Sequence, residues 1–134
     1  MIKGIDHIGI AVKSIDEAKK FWIDTLGLKL SHTEEVPDQK ARVAFLTAGG
    51  TTIELIEPTS PDSPIHRFIE KRGEGLHHLT LQTDNLAERL KKLKSANVGL
   101  IDEQPRLGAG GAKIAFLHPK SAHGVLVELC EPHE

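Results

Sequence analysis

The sequence has little of what marks several common classes of protein. Its one cysteine, Cys130, excludes an intramolecular disulfide framework and suits a reducing compartment. A net charge of −2 with 27% charged residues leaves no overall electrostatic footprint for nucleic acid or an anionic membrane. No apolar run approaches the length of a membrane span, and Met1 leads into a strand-like segment in place of an apolar leader. Low-complexity tracts are absent too. The expectation is a soluble cytoplasmic protein whose 134 residues form a single domain with a real core.

What the sequence does have is repetition. Val127-Glu128-Leu129-Cys130-Glu131-Pro132 restates Ile53-Glu54-Leu55-Ile56-Glu57-Pro58, and Ala112-Lys113-Ile114-Ala115-Phe116-Leu117 restates Ala41-Arg42-Val43-Ala44-Phe45-Leu46. Gly75-Leu76-His77-His78-Leu79 answers Gly4-Ile5-Asp6-His7-Ile8. The offset is 71 residues for His7/His78 and Ala41/Ala112 but 74 for Glu54/Glu128, so about three residues are added late in the second copy. Two half-units follow: a first module over about 1–58, a linker and short helix over about 59–73, and a second module over about 74–134.

Local signals give each module the order βαβββ, an α+β architecture. Ile5 to Val12 alternates as a strand, with Ile8, Ile10 and Val12 on a greasy face and His7, Gly9 and Ala11 on the other. Ser14 and Glu17 read as a capping box opening a helix whose stripe is Ile15, Ala18, Phe21, Trp22 and Leu26, with core packing expected for Phe21 and Trp22. Gly27 ends it. Strands are expected over 28–33, 41–46 and 52–57, with a polar turn at 34–40 and a Gly49-Gly50 hairpin. Ser63-Pro64 opens a short helix to about Lys71. In the second module Gly75 to Thr83 is a strand that places His78, Thr80 and Gln82 on one face. Asn85 caps a helix striped by Leu86, Leu90 and Leu93, and strands follow over 100–103, 112–117 and 125–131.

A lone histidine or glutamate on an apolar strand is more often a satisfied buried polar group than a ligand. Here the repeat returns one of each twice, at equivalent positions. If the modules form a common cleft in a pseudo-two-fold arrangement, with a curved mixed sheet around it, then His7, Glu54, His78 and Glu128 converge. Two carboxylates brought together are costly without a cation, and a divalent metal makes the set favourable. Such an N/O site suits Zn, Co, Ni or Mn. The remaining signals are weaker. Gly108-Ala109-Gly110-Gly111 lacks the helix and Lys-Ser/Thr ending of a P-loop and reads as a flexible hairpin. His77 points to the face opposite His78 and reads as structural, and Cys130 as packing.

These residues carry a resemblance. The paired modules with His and Glu on matching strands resemble the vicinal oxygen chelate superfamily, and within it the methylmalonyl-CoA epimerase family. That likeness runs along Asp6-His7-Ile8-Gly9, Phe21-Trp22, Ser63-Pro64-Ile65, Gly75-Leu76-His77-His78, Pro105 with Leu107-Gly108, and His118-Pro119-Lys120-Ser121. It implies a metal-dependent 1,1-proton transfer between (R)- and (S)-methylmalonyl-CoA through an enolate, in propionate metabolism and on a homodimer. His7, Glu54, His78 and Glu128 would hold the metal, and Glu54 and Glu128 would be the acid/base pair. Lys120, with Lys113 and Arg106 behind it, is expected to meet the CoA phosphates. Some relatives carry glutamine in place of Glu54 and a further glutamate in place of Val43. Gln39 and Gln82 are therefore reserve candidates as proton relays. The same ligand set also fits glyoxalase I (lactoylglutathione lyase). A metal-free binding protein of this fold is a third reading, against which four intact ligands argue.

Overall fold

The computed structural model describes residues 2–133. They form β1 (Ile2–Ala11), α1 (Ile15–Lys19), β2 (Lys29–Val36), β3 (Ala41–Ala48), β4 (Thr51–Pro58), α2 (Pro64–Arg72), β5 (Gly75–Thr83), α3 (Leu86–Ser95), β6 (Arg106–Leu107), β7 (Lys113–Leu117) and β8 (Val127–Glu131). The class is α+β and the order βαβββ occurs twice, with α2 between the copies. Two compact units separate: residues 7–77, and residues 78–133 with 2–6.

In the first unit the strand order is β2-β3-β4-β1. β1 and β4 run parallel, and β3 is antiparallel to both its neighbours. Strand alternation sends Val12, Ala44, Leu46 and Leu55 to one face, where they are buried with Ile15 and packed by Trp22. Ala11, Val43 and Ile56 go to the opposite face with Ala41 and meet Ile65 of α2.

The first helix departs from expectation in two ways. Ser14 Oγ accepts from the Glu17 N–H at 3.2 Å, as a cap should, but the Glu17 carboxylate holds Lys20 Nζ at 3.1 Å, and Glu57 Oε1 accepts from the Ile15 N–H at 2.8 Å. From Lys20 to Thr25 the helix widens to π form, with the Leu26 N–H donating to the Phe21 carbonyl at 2.8 Å. A wider turn rotates the side chains that follow relative to a 3.6-residue stripe. Phe21, expected in the core, is 51% exposed, while Trp22 stays packed and takes the Phe21 ring edge-on at 5.2 Å. The next strand runs on to Val36, and the expected polar turn shrinks to Pro37–Gln39, closed by Lys40 at φ 49°.

The second unit has the order β5-β8-β7-β6, with β5 and β8 parallel and β7 antiparallel to both its neighbours. Ala115 and Leu129 pack one face against Leu86 and Leu90 of α3. Both helix leucines are at most 1% exposed, so shortening either to alanine should cost about 2–5 kcal/mol. Ile114, Phe116 and Cys130 form a cluster on the other face, so Cys130 is a packing residue.

The strand expected over 100–103 is reduced to a single bridge, Leu100 to Leu117. The Ile101 and Asp102 N–H groups both turn onto the Phe116 carbonyl, and Asp102 Oδ2 accepts from the Phe116 N–H at 2.9 Å. A side-chain acceptor has replaced the backbone one, which ends the ladder; the paired segment is Arg106–Leu107 instead. The last strand starts two residues later than expected, because the Val125 N–H closes the preceding turn onto Ala122. Asn85 makes no side-chain cap and sits at φ 45°. Among the described residues no helix is long and apolar enough to cross a membrane.

Candidate metal centre

β1 and β4 lie side by side with Gly9 in register with Glu54, so His7 and Glu54 emerge from the same face. His7 Nδ1 lies 3.1 Å from Glu54 Oε2, and both side chains are buried. On the antiparallel neighbour Phe45 stands in register with Glu54, and the His32 ring stacks on it at 4.3 Å. Gly9 and Ala11 follow the histidine on its face, with Ala11 buried against Val43, Ile56 and Ile65.

The second unit repeats this arrangement with different detail. β5 and β8 are parallel with Thr80 in register with Glu128, and His78 Nε2 lies 3.3 Å from Glu128 Oε1. Phe116 is in register with Glu128, as Phe45 is with Glu54, and its ring meets His78 edge-on at 5.7 Å. Thr80 is fully buried, and its hydroxyl donates to Glu128 Oε1 at 2.5 Å. Sequence alone does not mark Thr80 as a functional residue. The available signal was its position two residues after His78, on the same strand face.

Each pair combines one imidazole with one buried carboxylate. A neutral imidazole does not cancel the carboxylate's charge, and a divalent cation does. One nitrogen and one oxygen per unit is a donor set of borderline softness, which fits zinc, cobalt, nickel or manganese.

The other candidates are more scattered. Arg106 Nε donates to Asp102 Oδ1 at 3.2 Å, and its guanidinium lies over the Phe116 ring at 5.5 Å, the same ring that meets His78. Lys113 and Lys120 are exposed, the latter on the turn Pro119–Ala122 with its N–H on His118 Nδ1. Val43 is buried against Ala11, Ile56 and Ile65. Gln82 shares a strand face with Thr80 and is in register with Cys130, whereas the Gln39 carbonyl accepts from the Ser63 hydroxyl at 2.9 Å. His77 packs edge-on to Phe68 of α2 at 4.9 Å, a structural role.

The sequence profile of the Glyoxalase/Bleomycin resistance protein/Dioxygenase superfamily matches residues 6–116, and the chain belongs to that superfamily. The matched stretch contains His7, Glu54 and His78 and stops before Glu128. Among curated proteins the chain is 53% identical over 128 residues to the uncharacterized protein YqjC of Bacillus subtilis, covering 96% of this chain and 91% of that one. It is 35% identical over 131 residues to the ethylmalonyl-CoA/methylmalonyl-CoA epimerase of Cereibacter sphaeroides, covering 96% and 98%. A solved methylmalonyl-CoA epimerase in complex with methylmalonyl-CoA and NH4+ superposes with a TM-score of 0.93 at 36% identity, covering 98% of this chain and 96% of that one.

Proposed function

We propose that the protein is a metal-dependent epimerase interconverting (R)- and (S)-methylmalonyl-CoA. The supporting observation is the buried His–Glu pair in each unit of a chain 35% identical, along nearly all its length, to an ethylmalonyl-CoA/methylmalonyl-CoA epimerase. In this reading His7, Glu54, His78 and Glu128 hold one divalent ion. When bound, that ion supplies a Lewis acid for negative charge developing on the substrate's oxygens.

The chain's own residues do the proton work. One carboxylate, Glu54 or Glu128, takes the α-proton, and the electrons of the broken C–H bond pass into the thioester carbonyl to give an enolate. The other, loosened from its ligand position and in its protonated form, delivers a proton to the opposite face, and exchange with solvent resets the pair. Val43, an alkyl side chain in the core beneath α2, carries no proton, and this reading gives the role of second base to Glu54. Lys120, Lys113 and Arg106 meet the CoA phosphates. A homodimer in the cytoplasm, serving propionate metabolism, belongs to the same reading.

The test is incubation of the purified protein with a single methylmalonyl-CoA epimer in D₂O, with and without a chelator. Deuterium should enter the α-position as the other epimer appears, and the chelator should stop both. Absence of exchange above the spontaneous rate sinks the proposal. The arrangement of Glu54 with Val43 favours one second reading, lactoylglutathione lyase, because that set needs no further glutamate at Val43. Turnover of a glutathione thiohemiacetal without exchange into methylmalonyl-CoA would select it.

A further inference from the structure

The repeat that equates Glu54 with Glu128 does not treat them alike. Each glutamate has a register partner on the parallel neighbour, two residues after the histidine: Gly9 for Glu54 and Thr80 for Glu128. Glycine has no side chain to offer a carboxylate. Threonine has a hydroxyl, and here it is fully buried and donates to Glu128 Oε1 at 2.5 Å.

We infer that Thr80 is a positioning residue that fixes the carboxylate of Glu128 for metal binding. The inference rests on the reading of Glu128 as a metal ligand. Three features make Thr80 suited to the task. Its β-branch leaves χ1 stiff, and full burial removes the alternative rotamers. The bond is of the short, charge-assisted O–H···O⁻ kind. The same Oε1 lies 3.3 Å from His78 Nε2, so one oxygen is held from two sides by groups two residues apart on one strand. Glu128 has three side-chain torsions and would otherwise sample several rotamers. A neighbouring donor that orients a metal ligand typically contributes tenfold or more to affinity.

The experiment compares Thr80→Val, which keeps the shape and removes the hydroxyl, with Thr80→Ser, which keeps the hydroxyl, and with Glu128→Ala. Cobalt(II) is the probe, its affinity measured by competition with a chelator and its geometry by the visible d–d bands; thermal unfolding of the metal-free proteins is recorded alongside. Thr80→Val should bind cobalt about 10–100-fold more weakly, with altered bands, and Thr80→Ser should stay close to the wild type. Should Thr80→Val bind cobalt as tightly as wild type with the same bands, the positioning role is overturned, whatever happens to its melting temperature. Should Glu128→Ala itself bind cobalt at full affinity, the reading of Glu128 as ligand is what fails, and the inference falls with it.

Discussion

Glu131 Oε1 accepts a hydrogen bond from the backbone N–H of Leu86 at 2.8 Å, reaching the start of α3 from the last strand, 45 residues away in sequence. The first half does the same: Glu57 Oε1 accepts from the Ile15 N–H at 2.8 Å. Helix starts leave backbone donors that need acceptors, and an anion there also meets the positive end of the helix dipole. Each carboxylate therefore ties the helix of its βαβββ module to that module's final strand.

From this we expect Glu131→Ala to lower unfolding stability by about 0.5–2 kcal/mol, the range for loss of a helix cap. Glu57→Ala should cost at least as much, since Arg42 Nη2 also lies 3.2 Å from that carboxylate. Asn85→Gly should cost little, because Asn85 makes no side-chain cap and holds a positive φ that glycine adopts readily. Urea unfolding curves check all three.

The Lys40 ammonium bonds the Asp62 carboxylate, with the Ser60 hydroxyl donating at 2.5 Å. These bonds hold the carboxyl at about 2 against an ordinary value of 3.8. A depressed folded pKa means that its stabilising contribution is complete above about pH 4 and disappears as the pH falls towards 2. The group is exposed and screened, so the effect on overall stability is small. Carboxyl ¹³C titration is the direct measurement: Asp62 should titrate near 2 in the wild type and return towards 3.8 in Lys40→Met. A wild-type midpoint near 4 would contradict the pairing.

Much of this was legible in the letters, for identifiable reasons. The repeat shows in the sequence, and strand alternation alone puts His7 on a face with Gly9 and Ala11 and His78 on a face with Thr80 and Gln82. The misses involve longer range. Ser14 caps α1 as its position implies, but Asn85 makes no side-chain cap, and Glu57 and Glu131 reach the helix starts from the final strands, beyond any local pattern. Phe21 fitted a 3.6-residue stripe that the π-helical turn breaks. Thr80 was correctly assigned to the ligand face, but its bond to Glu128 depends on the β5–β8 register, which no local pattern encodes. Asp102 ended its strand by accepting from Phe116, a contact 14 residues away.

Removing a ligand should remove the metal. His78→Ala or Glu128→Ala is expected to lose bound divalent ion and exchange activity together, since each deletes half of the pair held at 3.3 Å. Elemental analysis of the purified variants decides the point. Full occupancy in either would show that the side chain is no ligand.

Basic residues outside the ligand pairs should affect substrate affinity. Lys120 is exposed on the turn Pro119–Ala122, within the segment that carries the three extra residues of the second module. Lys120→Ala should raise KM for the CoA thioester with kcat nearly unchanged, as expected for binding felt equally in ground and transition states. An unchanged KM would leave Lys120 an ordinary surface lysine and shift attention to Arg106, whose guanidinium lies over the Phe116 ring beside His78.

The sharpest test of the two-base scheme is Glu54→Gln. Glutamine keeps an amide oxygen able to bind a metal but cannot accept the proton, so metal content should survive while one of the two bases is lost. In that scheme the remaining carboxylate, Glu128, serves one face of the enolate. Exchange of the α-proton from one epimer should therefore continue, while conversion to the other falls by at least about 100-fold, the lower end for loss of a positioned acid or base. The two carboxylates are held differently, Glu54 facing His7 at 3.1 Å and Glu128 bonded by Thr80 at 2.5 Å, so the converse variant should behave differently. Glu128→Gln places an amide against a hydroxyl and an imidazole arranged for an anion, and should lose metal as well as activity. If Glu54→Gln instead epimerises at the wild-type rate, the second proton carrier is another group. Gln82, on the strand face of His78 and Thr80, is the first to examine as a relay, ahead of Gln39, whose carbonyl holds the Ser63 cap of α2.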